Sequence, residues 1–192
     1  ISAKLSILSL EKNINKINLG EHMNKLLEKI DIPEKLIELL NKNPIPKLQE
    51  EITDFYFIKS ERLREAQEEY RIDEITGKEI TGDEKGKWKN QWLVIGSGVA
   101  DDPLFIDLRE EQKGFPIYTA ANGGGEWLPY KVSNSIVSFV KILEILNKMV
   151  KTQQFDGDEF LDKIDKFTDS FGVWEEEVEM LDEMLLDGVN EI

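Results

Sequence analysis

Between Trp92 and Phe139 the chain reads WLVIGSGVADDPLFIDLREEQKGFPIYTAANGGGEWLPYKVSNSIVSF, and this run leaves little freedom in the choice of fold. Trp92-Leu93-Val94-Ile95 is a short apolar run stopped by Gly96, the pattern of a buried strand. Asp101-Asp102-Pro103 then turns the chain, because proline fixes its own φ and holds Asp102 extended. Leu104, Ile106 and Leu108 alternate with Phe105, Asp107 and Arg109, which predicts a second strand with one face largely polar. Phe115 to Tyr118 make a short third strand, and Asn122-Gly123-Gly124-Gly125 is a turn with an Asn-Gly hairpin signal. Trp127 resumes a strand or its edge. Ser133 or Asn134 is the expected N-cap of a helix over 135–150, in which Ile136, Phe139, Val140, Leu143, Leu146 and Val150 recur at helical spacing. Strands joined by short glycine turns imply an antiparallel meander, not a βαβ unit.

The flanking sequence divides into further sections. Residues 1–43 are helical in pattern, with Leu26, Leu27, Ile30, Leu36, Ile37 and Leu40 as core candidates and Pro33 as the first residue of a second helix. Pro44 breaks that pattern, and a helix or strand follows through Ile52 to Ile58. An amphipathic helix is expected from Ser60, with Glu61 in its first turn. Residues 75–90 (ITGKEITGDEKGKWKN) read as a mobile hairpin tip or loop.

The order strand, Ile-Gly-x-Gly, Asp-Asp-Pro-Leu-Phe-Ile-Asp, Pro-Ile-Tyr, Gly-Gly-Glu-Trp, Ser-x-x-x-Phe resembles the SUKH (Smi–Knr) superfamily. Ile32-Pro33-Glu34-Lys35 is similar to that family's first-helix entry, and Phe57 through Gln67 to its segment before the central strands. The resemblance covers residues 31–150. Ala121-Asn122 stands where many members carry a His before the glycines, and Pro44-Ile45-Pro46 where others often have an Asn-Gly-Gly turn. The resemblance implies a bacterial immunity protein that neutralises a cognate polymorphic toxin, or a regulatory or scaffolding module of the fungal cell-wall-regulator type.

The expected architecture is α+β: a central, mostly antiparallel sheet flanked by helices over 1–151, and an acidic helical C-terminal extension over 152–192. Of the net charge of −15, −12 lies in that extension, where 14 Asp and Glu face only Lys163 and Lys166, which leaves −3 for everything before it. This distribution disfavours nucleic acid and anionic membrane as partners and favours a basic protein. Phe160, Ile164, Phe167, Phe171, Trp174, Val178, Leu181 and Leu185 follow one another at spacings of four and three, a heptad-like seam on an acidic surface. Such a stripe packs on the chain's own core or forms a seam with a partner, including a homodimer. Gly157 precedes it, Gly188 ends it, and Ser170-Phe171-Gly172 divides it.

Several chemistries find no support. There is no run of about 18 apolar residues for a membrane span. The absence of cysteine removes disulfides and thiolate chemistry and fits a reducing compartment, so a cytoplasmic location is expected. The start, Ile1-Ser2-Ala3-Lys4, reads as a trimmed terminus. Gly96-Ser97-Gly98 lacks the third glycine of a dinucleotide site, and no phosphate-binding loop motif occurs. The single histidine, His22, reads as a surface residue and cannot build a triad or a His-rich metal site. Asp156-Gly157-Asp158-Glu159 lacks the placement of a calcium loop.

The expectation is therefore a protein-binding module without catalytic residues, metal or cofactor. Asp101, Asp102, Asp107 and Glu126 are the candidate charged contacts, with Trp127 as anchor and Tyr118 either buried or in contact. Serving the turn through side-chain to backbone bonds is the competing role for Asp101 and Asp102. Core and rim packing is the competing role for Trp92 and Trp127.

Overall fold

The computed structural model describes residues 22–52, 55–98, 101–123, 125–153 and 155–189, so the helical pattern expected over 1–21 lies outside the described residues. Five strands, β1 (Tyr56–Phe57), β2 (Trp92–Ser97), β3 (Pro103–Asp107), β4 (Ile117–Gly123) and β5 (Glu126–Ser133), pair antiparallel in sequence order. The helices are α1 (22–28), α2 (Glu34–Lys42), α3 (Glu68–Arg71), α4 (Ile136–Lys151), α5 (Gly157–Ile164) and α6 (Gly172–Val189). The architecture is α+β, as the meander requires.

Strand alternation sends side chains to two different cores. Leu93, Ile95, Leu104, Ile106, Ile117 and Val132 join the main core with Ile136, Phe139, Leu143 and Leu146 of α4. Val94, Phe105 and Ala120 face the other way and pack on Trp88. The second face of β3 is therefore not polar: Phe105 is fully buried, and every residue of β3 is buried. The cause is Trp88, only 1% exposed, whose ring lies 4.8 Å from that of Phe105. The segment 75–90 is thus no free tip. It is pinned by Trp88 and by the Ile72–Glu79 bridge.

Other boundaries move for identifiable reasons. Phe115 adopts φ 56 and ends a turn, so β4 begins at Ile117 and runs on to Gly123, which pairs with Glu126. Ser135, not Ser133 or Asn134, caps α4, its Oγ accepting from the Ser138 N–H at 3.0 Å. Pro33 is the N-cap residue of α2 and not its first helical residue. The expected helix from Ser60 is instead a series of short turns ending in α3. These turns bring the buried Gln67 amide onto β2, where it donates to the Val94 carbonyl and accepts from the Val94 N–H, both at 2.9 Å. Arg64 ties the same region to the end of α1 by donating to the Leu27, Glu28 and Ile30 carbonyls, the first of which also accepts from the Ile30 N–H.

The C-terminal helices enter the same main core. Phe160, Ile164, Trp174, Val178 and Leu181 are buried, and Phe167, Phe171 and Leu185 are half-buried. Trp174 Nε1 donates to the Val132 carbonyl at 2.9 Å, which fastens α6 to β5. Gly157 permits close packing of α5 on α6: a Cβ there would lie 2.3 Å from Val178 Cγ1. The helix α6 continues through Gly188 to Val189. Asp156 caps α5 through Oδ1, which accepts from the Glu159 N–H.

No strand lies beyond β5 among the described residues. Its outward Trp127 N–H already donates to the Gly86 carbonyl at 2.7 Å, and two residues on, Pro129 has no N–H. Lys131, the next outward position, pairs with Asp169 at 2.9 Å. No helix among the described residues is long and apolar enough to cross a membrane.

Candidate interaction surface

Asp101 and Asp102 form the end of the β2–β3 connection. The Asp102 carbonyl accepts from the Gly98 N–H at 3.0 Å, and Asp101 sits at φ 61, where a non-glycine residue is strained. This geometry sends the two carboxylates to different grooves. Asp101 is exposed and lines a groove of about 780 Å³ between β1, the short turns and α3. Five acids, Glu65, Glu68, Glu69, Glu74 and Asp101, border it against Lys59 and Arg62. Arg62 is already paired with Glu65 at 3.3 Å. Tyr56 and Tyr70 supply its aromatic surface. Burial, reinforced by Glu69 and then by Tyr56, Asp102 and Asp101, pushes the Tyr70 hydroxyl up to about 12.

Asp102 lines the opposite side of the sheet, in a groove of about 400 Å³ with Phe55, Leu104, Tyr130 and Glu176. Burial raises its carboxyl pKa and the Glu176 carboxylate adds to the rise. The two carboxylates that share this groove come from a turn and from α6, a juxtaposition that no spacing in the sequence displays. Tyr130 is 53% exposed at its margin.

Trp127 and Glu126 lie at the start of β5, on the hairpin. Trp127 is half-buried, its ring 5.5 Å from Tyr70 and 5.2 Å from Trp88, so it joins the second core to the acid-lined groove through Tyr70. Glu126 is exposed beside Gly86: a Cβ on that glycine, at φ 80, would stand 2.7 Å from Glu126 Cγ.

Asp107 and Tyr118 belong to a separate patch. Asp107 is at the far end of β3 from Asp101, about 13 Å along the strand from Pro103. It is nearly buried, caps the following turn by accepting from the Arg109 N–H, and pairs with the Arg109 guanidinium at 2.6 Å. Tyr118 is half-buried and donates its hydroxyl to Glu110 at 2.7 Å. Burial and that bond raise its pKa. Both side chains are engaged within the chain, and with Trp92, Phe105 and Pro129 they shape a shallow aromatic hollow.

The six candidate residues therefore do not form one cluster. Asp101 lines the acidic groove, Trp127 touches its Tyr70 with Glu126 next to it on the hairpin, Asp102 lies on the opposite face, and Asp107 with Tyr118 lies at the far end. Trp88, Tyr70, Gln67 and Glu176 were not singled out from the sequence. For Trp88 the available signal was a tryptophan inside an otherwise charged loop, an unusual place for so large an apolar surface. Among the described residues no group of His, Asp and Glu is arranged to hold a metal ion.

A family model described as the SMI1 / KNR4 family (SUKH-1) matches residues 21–142. Comparison with curated proteins and with solved structures returns no match. The matched span takes in all five strands, the first turns of α4, and the positions of Asp101, Asp102, Asp107, Tyr118, Glu126 and Trp127. With the greater part of its length covered in this way, the chain belongs to the SMI1 / KNR4 family (SUKH-1).

Proposed function

We propose that the chain is a non-catalytic protein-binding module of the immunity type, which acts in the cytoplasm by covering the surface of a basic toxin domain. The observation that carries this reading is the groove at Asp101, where five carboxylates outnumber two cations and two tyrosines stand among them. A basic surface approaching it is attracted before contact, since a net charge of −15 steers association at long range. Tyrosines give such a groove an apolar, rigid contact area with a polar tip. Family membership supports the same reading, because the superfamily resemblance implies immunity proteins.

The test is affinity capture from the native host at low and high salt, followed by co-expression of any captured protein with and without this chain. The expected result is one basic protein held one-to-one, released by salt, and toxic to a host unless this chain is present. Capture of several unrelated proteins with no salt dependence and no toxicity would overturn the proposal.

A further inference from the structure

Arg71 ends α3 and turns its guanidinium inward, where the residue is 7% exposed. Nη2 donates to the Asn90 and Trp92 carbonyls at 2.6 and 2.9 Å. Nε is buried without an acceptor among the described residues, while Nη1 makes no hydrogen bond to them and, unlike Nε, is not buried, which leaves it the donor within reach of a ligand. Burial lowers the Arg71 pKa, and the one opposing influence is Glu79, an exposed residue that makes no ion pair with it. A guanidinium largely withdrawn from water and held in no ion pair is costly, and such groups are ordinarily paired.

Beside it lies a groove of about 470 Å³, within the range of small-molecule sites. Its apolar walls are Leu26 and Leu27 of α1, Ile30 just after that helix, and Ile72 and Leu108. Lys29 and Asn90 add donors at the margin. The Asn90 Oδ1 is taken by the Thr81 hydroxyl, which orients the amide NH2 of Asn90 as its remaining group. Asp31 and Glu79 are exposed on the same lining, and with the net charge of −15 they oppose anions of high charge.

We propose that this groove binds a small monocarboxylate with an apolar body, the carboxylate set against Arg71 and the body against Leu26, Ile30 and Leu108. The site is separate from the Asp101 groove, so its test leaves the partner reading untouched.

The probe is hexanoate, titrated into the full chain, with hexanamide as its uncharged counterpart and inorganic phosphate as a multiply charged anion. Binding is followed by the Arg71 Nε–H resonance and by Tm. The expected result is a saturable shift of that resonance and a rise in Tm with hexanoate alone, weakened about tenfold or more in Arg71→Met. Because Arg71→Met also removes two carbonyl contacts and can unfold the chain, Leu26→Trp is the second variant. It fills the groove from its wall, leaves Arg71 in place, and should abolish the hexanoate response. No response at about 10 mM hexanoate, about tenfold above a weak ligand's Kd of about 1 mM, would overturn the proposal. So would an equal response to hexanamide, a preference for phosphate, or a response that survives in Leu26→Trp.

Discussion

At Asp101 the backbone occupies φ 61, and at Asp102 a carboxylate faces Glu176 in a half-closed groove. Each invites a substitution. Asp101→Gly relieves a conformation that costs an L-residue about 1–2 kcal/mol and should stabilise the fold by about 1 kcal/mol in urea unfolding, whereas Asp101→Val should destabilise it. If Asp101 also contacts the partner, Asp101→Lys should cut affinity with the fold intact, while Asp102→Lys, on the other face, should not. For Asp102 the sign follows from its raised pKa. The folded state holds the proton more tightly than the unfolded chain, so ionisation of Asp102 works against folding. Its unfavourable contribution is present at neutral pH and fades as pH falls through the raised value. Asp102→Asn should therefore raise Tm at pH 7 and steepen the acid limb of the stability profile, because the protonation that offsets part of the acid loss is gone; an unchanged profile would mean that the Asp102 pKa is not raised in the folded chain. The turn role of this pair was legible in the sequence, because Asp-Asp-Pro restricts the chain locally. Which way each carboxylate faces was not, since that depends on α6, which lies some 70 residues further on.

Among the elements, β2 depends on a side chain for part of its pairing. β1 spans only Tyr56–Phe57 and pairs with Ser97 and Gly96, and the Val94 backbone beyond it is satisfied by the Gln67 amide. Gln67→Leu should leave two buried backbone groups unpaired and cost about 3 kcal/mol, read as a lower urea midpoint and faster hydrogen exchange at Val94. Trp174→Phe keeps most of the packing but strands the Val132 carbonyl, at a cost of about 1–3 kcal/mol. The strands and α4 were legible because a period of two or of 3.6 is a property of the local sequence. The turns from Ser60 to Gln67 were not, because their shape answers to Val94, 27 residues away in the chain. The seam of α5 and α6 was visible as a pattern, but its two candidate partners, own core or second chain, produce the same spacing.

For the whole molecule, the uneven charge makes a kinetic prediction. Association with a basic partner should slow several-fold between low and physiological ionic strength while dissociation changes little, a pattern measurable by stopped-flow mixing. The charge asymmetry itself could be counted from the sequence. Its arrangement around a groove could not, because Glu65, Glu74 and Asp101 meet only once the sheet has formed. The edges of that sheet add a constraint on recognition. With the Trp127 amide engaged by Gly86, no amide hydrogen at Pro129, and a charged Lys131 held by Asp169, β5 offers an incoming strand almost no ladder to join. At the other border, β1 is two residues long. A partner cannot be read here by its backbone, which any extended peptide could supply. It must be read by shape and charge of side chains, so discrimination between related partners can drift by surface substitution while the sheet stays the same.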